Sequence, residues 1–306
     1  MSDDPRLGLL VNRTAQIHHL LAVGQIALAK ELAAQQIAEA PDDPSSYVAL
    51  VSVMLHEHNS EGAIAAADEA IRRAPEWAGA WRVRATALYQ AGRFAESEAS
   101  IIEAIRIEPD EAIAFAFYAK LLHRTDKKEK ALELVRIAME LDSDDDDAHR
   151  LYATLLHEVH PKRWKISEEA ARRAIELNPE EADGYAILGM LVMTRRQFGE
   201  AEQLFRSALE IEPWNQLALR GLAEVVMGKN LFYKPFLGYA LLMERMGEGM
   251  QFMVVGSLWA FVSVLLAATN EPASTFITIG YLALCAYTWF ATPIMRAILR
   301  RKYPWI

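Results

Sequence analysis

The chain has 306 residues, with 41 acidic against 32 basic side chains for a net charge of −9, and a single cysteine. One cysteine, Cys285, excludes a disulfide framework, and an acidic surface repels nucleic acid, so neither a disulfide-stapled domain nor a nucleic-acid binder is expected. The average conceals a break near residue 249: residues 250–306 hold one acidic and four basic side chains, which leaves 40 acidic and 28 basic before them, a net of −12.

From the N-terminus, Met1-Ser2-Asp3-Asp4 is acidic where a secretory signal would begin basic, so synthesis and folding in the cytoplasm are expected. Residues 1–8 read as a tail. Between residues 9 and 228 prolines keep a period. Pro41, Pro75 and Pro109 lie 34 residues apart, Ser143 falls on the next beat, and Pro179 and Pro213 are again 34 apart. The interval from Ser143 to Pro179 is 36, so it carries two extra residues. Within each period, apolar residues at spacings of three and four predict a first helix, a short turn such as Ala91-Gly92-Arg93, and a second helix ended by the proline. Small residues such as Ala63, Ala201 and Gly189 leave room where the two helices cross. One such pair cannot bury its apolar face alone, whereas six pairs with an extra helix over 213–228 can.

The residues between the prolines keep register as well. The last full unit reads Tyr185, Leu188, Gly189, Val192, Ala201, Phe205, Ala208 and Pro213, and an earlier one reads Trp81, Ala85, Leu88, Ser97, Ile101, Ala104 and Pro109. The first unit, about Leu9 to Pro41, keeps Ala29 but has Arg13 and Ile17 where an aromatic and a small residue are usual. This pattern resembles the tetratricopeptide repeat. The resemblance implies an all-α fold, a right-handed α-solenoid of about six helix pairs plus a capping helix, whose first helices line a concave groove. On that alignment Arg82, Tyr89, Lys120, His123, Arg150, His157 and Arg220 face the groove. Four of them are cations in an acidic domain, which suits an acidic or C-terminal peptide as partner. The chaperone-binding versions of the family clamp a carboxylate with Lys and Asn, and here Ser52, Thr86 and Thr154 stand at the Asn position. Chaperone tails are therefore not the expected ligand. The two inserted residues enlarge the turn Val159-His160-Pro161-Lys162-Arg163-Trp164, which makes Trp164 either a loop contact for a partner or a packing residue between helices.

Other chemistry finds little support. The pairs His18-His19, His56/His58 and His157/His160 lack the third and fourth ligands that zinc requires. The run Asp142-Ser143-Asp144-Asp145-Asp146-Asp147 lacks the turn glycine and closing glutamate of a calcium loop, and acids ahead of a helix complement its N-terminal dipole. No phosphate loop or nucleophile elbow is present, so no catalytic residue, metal or cofactor is expected and the chain is not read as an enzyme.

Beyond the repeats, residues 229–249 read as a juxtamembrane amphipathic segment, to lie on the bilayer or fold back on the last repeat. No charged residue stands between Glu248 and Glu271 or from Pro272 to Met295. The segments 250–268 and 276–295 are each long enough to span about 30 Å of hydrocarbon, and the short polar turn between them predicts a transmembrane helical hairpin over 250–295. Arg296, Arg300, Arg301 and Lys302 in the tail 296–306, with Lys229, Lys234 and Arg245 on the other flank, place both termini in the cytoplasm and the basic tail at the membrane interface. For a bacterium this is the inner membrane. Gly256 and Ala260 form a small-xxx-small pair suited to packing with other membrane proteins or with a second copy. The whole reads as a membrane-anchored scaffold or adaptor that recruits or assembles proteins, with an integral subunit of a larger membrane complex as the alternative.

Overall fold

The computed structural model describes residues 5–229, with side chains from 13 to 226. The expected membrane hairpin, the juxtamembrane segment beyond residue 229 and the tail with Arg296, Arg300, Arg301 and Lys302 lie outside the described residues. Thirteen α-helices and one 3-10 turn make up the described residues, with no strand among them. None of these helices is long and apolar enough to cross a membrane. They divide into two compact units, one ending at Leu177 and the other starting at Asn178.

The first unit stacks five helix pairs: α1 (Pro5–Ala22) with α2 (Ile26–Glu39), α3 (Pro44–His56) with α4 (Ser60–Arg73), α5 (Ala78–Gln90) with α6 (Phe94–Ile107), α7 (Ala112–Arg124) with α8 (Lys128–Leu141), and α9 (Asp146–Val159) with α10 (Trp164–Leu177). The second unit holds the pair α11 (Ala182–Thr194) and α12 (Phe198–Ile211) and the additional helix α13 (Gln216–Lys229). The pairs fall where the proline period places them. Only α1 reaches into the segment read as a tail, starting at Pro5, a residue well suited to the first helical turn.

The pairs close on small side chains. Five of the six second helices carry two small positions seven residues apart: Ala63 and Ala70, Ser97 and Ala104, Ala131 and Ala138, Ser167 and Ala174, Ala201 and Ala208, all buried. Spacing of seven puts both on one face of the helix, so the partner backbone approaches along its length. The Ser97 hydroxyl spends its hydrogen on the Ala85 carbonyl of the facing helix at 2.7 Å. In the first pair Gln36 takes the second position, fully buried, and its amide donates to Thr14 Oγ1 at 3.2 Å. In the second unit Phe205 fills the space left by two glycines: a Cβ on Gly189 would lie 2.8 Å from its ring, and one on Gly221 closer still. The phenyl ring therefore substitutes for the side chains that α11 and α13 lack.

Turns within the pairs share a second device. Gly24, His58, Gly92, Asp126 and Arg196 sit at the same place, and each has φ between 57° and 75°. The residue after each donates its N–H five residues back, as Arg93 does to the Leu88 carbonyl at 2.9 Å and Lys127 to the Leu122 carbonyl at 2.9 Å. This is a Schellman closure, which needs one left-handed residue. The fifth pair departs from it. His160 has φ −131°, and Pro161–Arg163 form a 3-10 turn that leads into α10 at Trp164. The two inserted residues thus replace the left-handed turn with a turn of helix.

Stacking follows a rule in the first unit. Each second helix packs on the next first helix, α2 on α3, α4 on α5, α6 on α7 and α8 on α9, and first helices also touch one another, α1 on α3, α3 on α5 and α7 on α9. Second helices of successive pairs make no comparable contact among the described residues. A stack joined in this way curves with its first helices on the inner face. Positive φ outside glycine carries strain, so Gly92→Ala is expected to lose about 1 kcal/mol and Arg196→Gly to gain about 0.5 kcal/mol, read as opposite shifts of the urea midpoint with unchanged m.

Candidate functional site: the first-helix face

The inner face of the first unit is built from residues recurring every 34 positions along α3, α5, α7 and α9. One row is Val48, Arg82, Ala116 and Arg150; the next is Ser52, Thr86, Lys120 and Thr154; the third is Leu55, Tyr89, His123 and His157. Helical periodicity puts the three rows on one side of each helix. In the middle row the hydroxyls fold back onto their own helices. Ser52 donates to the Val48 carbonyl at 3.4 Å, Thr86 to that of Arg82 at 3.1 Å and Thr154 to that of Arg150 at 3.0 Å. Lys120 is exposed between Thr86 and Thr154.

The cations of the first row are already engaged. Arg82 Nε lies 3.1 Å from Glu111 Oε1, the residue that precedes α7. Arg150 is largely covered and pairs with Asp146 at 3.7 Å and with Asp147, both from the first turn of its own helix. In the third row His123 Nε2 sits 3.1 Å from Glu158 Oε2 of α9, and Lys128 reaches the same carboxylate at 3.2 Å. His157 Nδ1 is buried without a hydrogen-bond partner. Tyr89 presents its ring edge-on to Phe94 at 5.7 Å and Phe117 at 5.8 Å, and so serves the packing between α5, α6 and α7. Arg220 stands on α13 in the second unit, exposed. The structure therefore brings Arg82, Tyr89, Lys120, His123, Arg150 and His157 onto one face of the first unit.

Trp164 heads α10, half-buried, with Lys165 Nζ 5.5 Å from its ring centre. It borders an open hollow of about 710 Å³ shared with Met139, His149 and Tyr152. The acidic run serves the backbone: Asp145 caps α9 by accepting from Asp147 N at 3.0 Å and Ala148 N at 3.3 Å, while Asp142 accepts from Asp144 N at 3.0 Å. Among the described residues no three His, Cys, Asp or Glu side chains converge as metal ligands would.

Two residues escaped the sequence reading. Ile113 is 53 % exposed at the start of α7, and Trp214 is 68 % exposed between α12 and α13. A signal for Trp214 was present: the residue after the turn position is acidic in the other units, Asp42, Glu76, Asp110, Asp144 and Glu180.

Residues 82–146 and 162–216 match the family model of the tetratricopeptide repeat. Over those residues, fewer than half of the chain, the helix pairs follow the tetratricopeptide pattern. No curated protein matches the chain. Among solved structures, Pseudomonas aeruginosa pilF aligns over 72 % of this chain and all of its own, with TM-score 0.57 and 15 % identity. A chain of the APC/C hetero-tetramer Cut9-Hcn1 aligns over 71 % of this chain with TM-score 0.63 and 12 % identity, and yeast Tom70 over 70 % with TM-score 0.56 and 18 % identity. The match spans 42 % of the former and 46 % of the latter, and identities this low speak to the fold alone.

What holds α7 in place behind this face is a polar lock. Tyr118, buried on α7, donates its hydroxyl to Glu98 Oε1 of α6 at 2.8 Å, and Lys127 donates to Glu98 Oε2 at 3.0 Å. Burial pushes the Glu98 carboxyl up, but the hydrogen bonds from Tyr118 and Lys127 and the charges of Lys127 and Lys130 outweigh it and hold the group below its usual range. Burial, then the bond to Glu98, pushes the Tyr118 phenol from 10.0 up to about 12. A depressed carboxyl contributes stability above its unfolded value and loses it as pH falls through the folded one. A raised phenol contributes below 10.0 and loses its share as pH rises to about 12. Tyr118→Phe is thus expected to cost about 1 kcal/mol at neutral pH and to flatten the loss of stability over that alkaline interval, as measured by urea melts across pH.

Proposed function

We propose that the chain is a membrane-anchored adaptor, whose tetratricopeptide repeats bind a protein or peptide on the first-helix face and recruit or assemble it at a membrane. The observation that carries the reading is the inner face of the first unit: short side chains at Ala116, Thr86 and Thr154 flank an exposed lysine on a surface that the stacked pairs hold rigid. Such a surface offers backbone access and charge without catalytic groups, so no reaction is assigned to it. The membrane part rests on the charge-free runs 250–268 and 276–295 and the basic residues flanking them.

One observation favours a second reading, an integral subunit or assembly factor of a larger membrane complex. Trp214 exposes a large aromatic surface where the other units place an acid, and a fixed protein neighbour would cover it.

Crosslinking in cells, then affinity purification and mass spectrometry, compares three chains: native, Thr86→Tyr/Thr154→Tyr, which fills the inner face, and Trp214→Ser. The adaptor reading expects the partner set to vanish from the filled variant and persist with Trp214→Ser; the reverse result assigns the function to a fixed complex. Deleting residues 250–306 is expected to move the repeats out of the carbonate-washed membrane pellet, and repeats that stay there would contradict the anchor.

A further inference from the structure

The ion pairs on the first-helix face separate cations that the chain satisfies by itself from cations that it does not. Arg82 has Glu111, Arg150 has Asp146 and Asp147, and His123 and Lys128 share Glu158. Among the described residues Lys120 and Arg124 have no carboxylate within ion-pair distance, although acids outnumber bases by nine in this chain. Both are exposed, and they stand one helical turn apart on α7, where like charges weaken a helix. Two turns before Lys120 on the same side is Ile113, the exposed aliphatic residue of α7, and between them lies Ala116, too small to obstruct a backbone. The neighbours do not cover this stripe, since Thr86 and Thr154 on either flank are short and bonded to their own helices.

Resting on the inner-face reading above, we propose that the Ile113-Ala116-Lys120-Arg124 stripe of α7 is the docking surface for an acidic peptide segment of a partner protein, with one bulky apolar residue beside its acids. Charge complementarity selects the occupant: two unpaired cations call for carboxylates, and Ile113 calls for an apolar side chain. Helical rise sets the register. Ile113 and Lys120 are about 10 Å apart along the axis, the length of three extended residues, and Arg124 lies about 6 Å further, the length of two. A peptide laid along α7 would therefore read apolar-x-x-acid-x-acid. Arg82 and Arg150 flank Ala116 as spacers already neutralised, and so shape the edges of the surface without supplying its charge.

The test uses the purified full chain and a fluorescent synthetic peptide, Ser-Leu-Ser-Ser-Glu-Ser-Glu-Ser, followed by anisotropy. Expected are saturable binding that weakens with salt, and a loss of about tenfold or more when both Glu are replaced by Gln or when Lys120→Glu/Arg124→Glu is introduced. Ile113→Ser should weaken the parent peptide and leave a version with Ser in place of Leu unaffected. Arg136→Glu, a charge reversal on exposed α8, should bind as native does. Lys120→Gln/Arg124→Gln repeats the measurement with gentler substitutions, and thermal melts establish that each variant is folded. No binding of the peptide, or equal binding of its Gln version, overturns the proposal. If Lys120→Glu/Arg124→Glu instead abolishes self-association in sedimentation, the face belongs to a second copy and the proposal also falls. The inner-face reading fails separately, when the filled Thr86→Tyr/Thr154→Tyr chain keeps its partners in cells.

Discussion

Close approach of two helix backbones at a pair of buried small residues is the constraint on which everything else depends. Ala131 and Ala138 on α8, or Ala201 and Ala208 on α12, admit the facing helix at a distance that larger side chains would forbid. Because the closing face is short-sided, the apolar residues that remain, such as Leu88, Leu122 and Leu156, are free to pack between one pair and the next. The repeat then has no core of its own, only a share in its neighbours'. Extending the stack is what buries the surface.

Curvature and charge follow from that packing. First helices touch across successive pairs while second helices face outward, which gathers the same three positions of each first helix onto one inner face. Polar side chains on this face are then close enough to meet partners from the adjacent pair. Glu158 of α9 serves His123 of α7 and Lys128 at the start of α8, and Glu111 serves Arg82 from the preceding pair. These bonds join repeats rather than stabilise helices one at a time. Exposed pairs of this kind contribute little energy individually, so their weight lies in fixing which cations stay available on the surface.

Much of this was legible in the sequence. The prolines marked five of the six second-helix ends, with Ser143 on the beat of the other, and the alanines and serines at fixed offsets marked the crossings, because both report on backbone constraints that side-chain identity alone satisfies. The left-handed turn residue was legible only where it is glycine, at Gly24 and Gly92; His58, Asp126 and Arg196 adopt the same conformation because the tertiary closure imposes it. The rows of Arg82, Lys120 and Arg150 were assigned to one face by the family pattern. Which of them keep a free charge was not legible, since Glu111 and Asp147 are ordinary acids until the pairs are stacked. Trp214 was overlooked for a different reason: its anomaly shows only when the residue after each turn position is compared across units.

On the proposed function, partners meet this chain on its first helices. A photo-crosslinking amino acid placed at Ala116 on α7, and separately at Arg136 on α8, in the full chain in cells tests it most directly. Partner adducts are expected from position 116 and none from position 136. Adducts from position 136 with none from position 116 would contradict it.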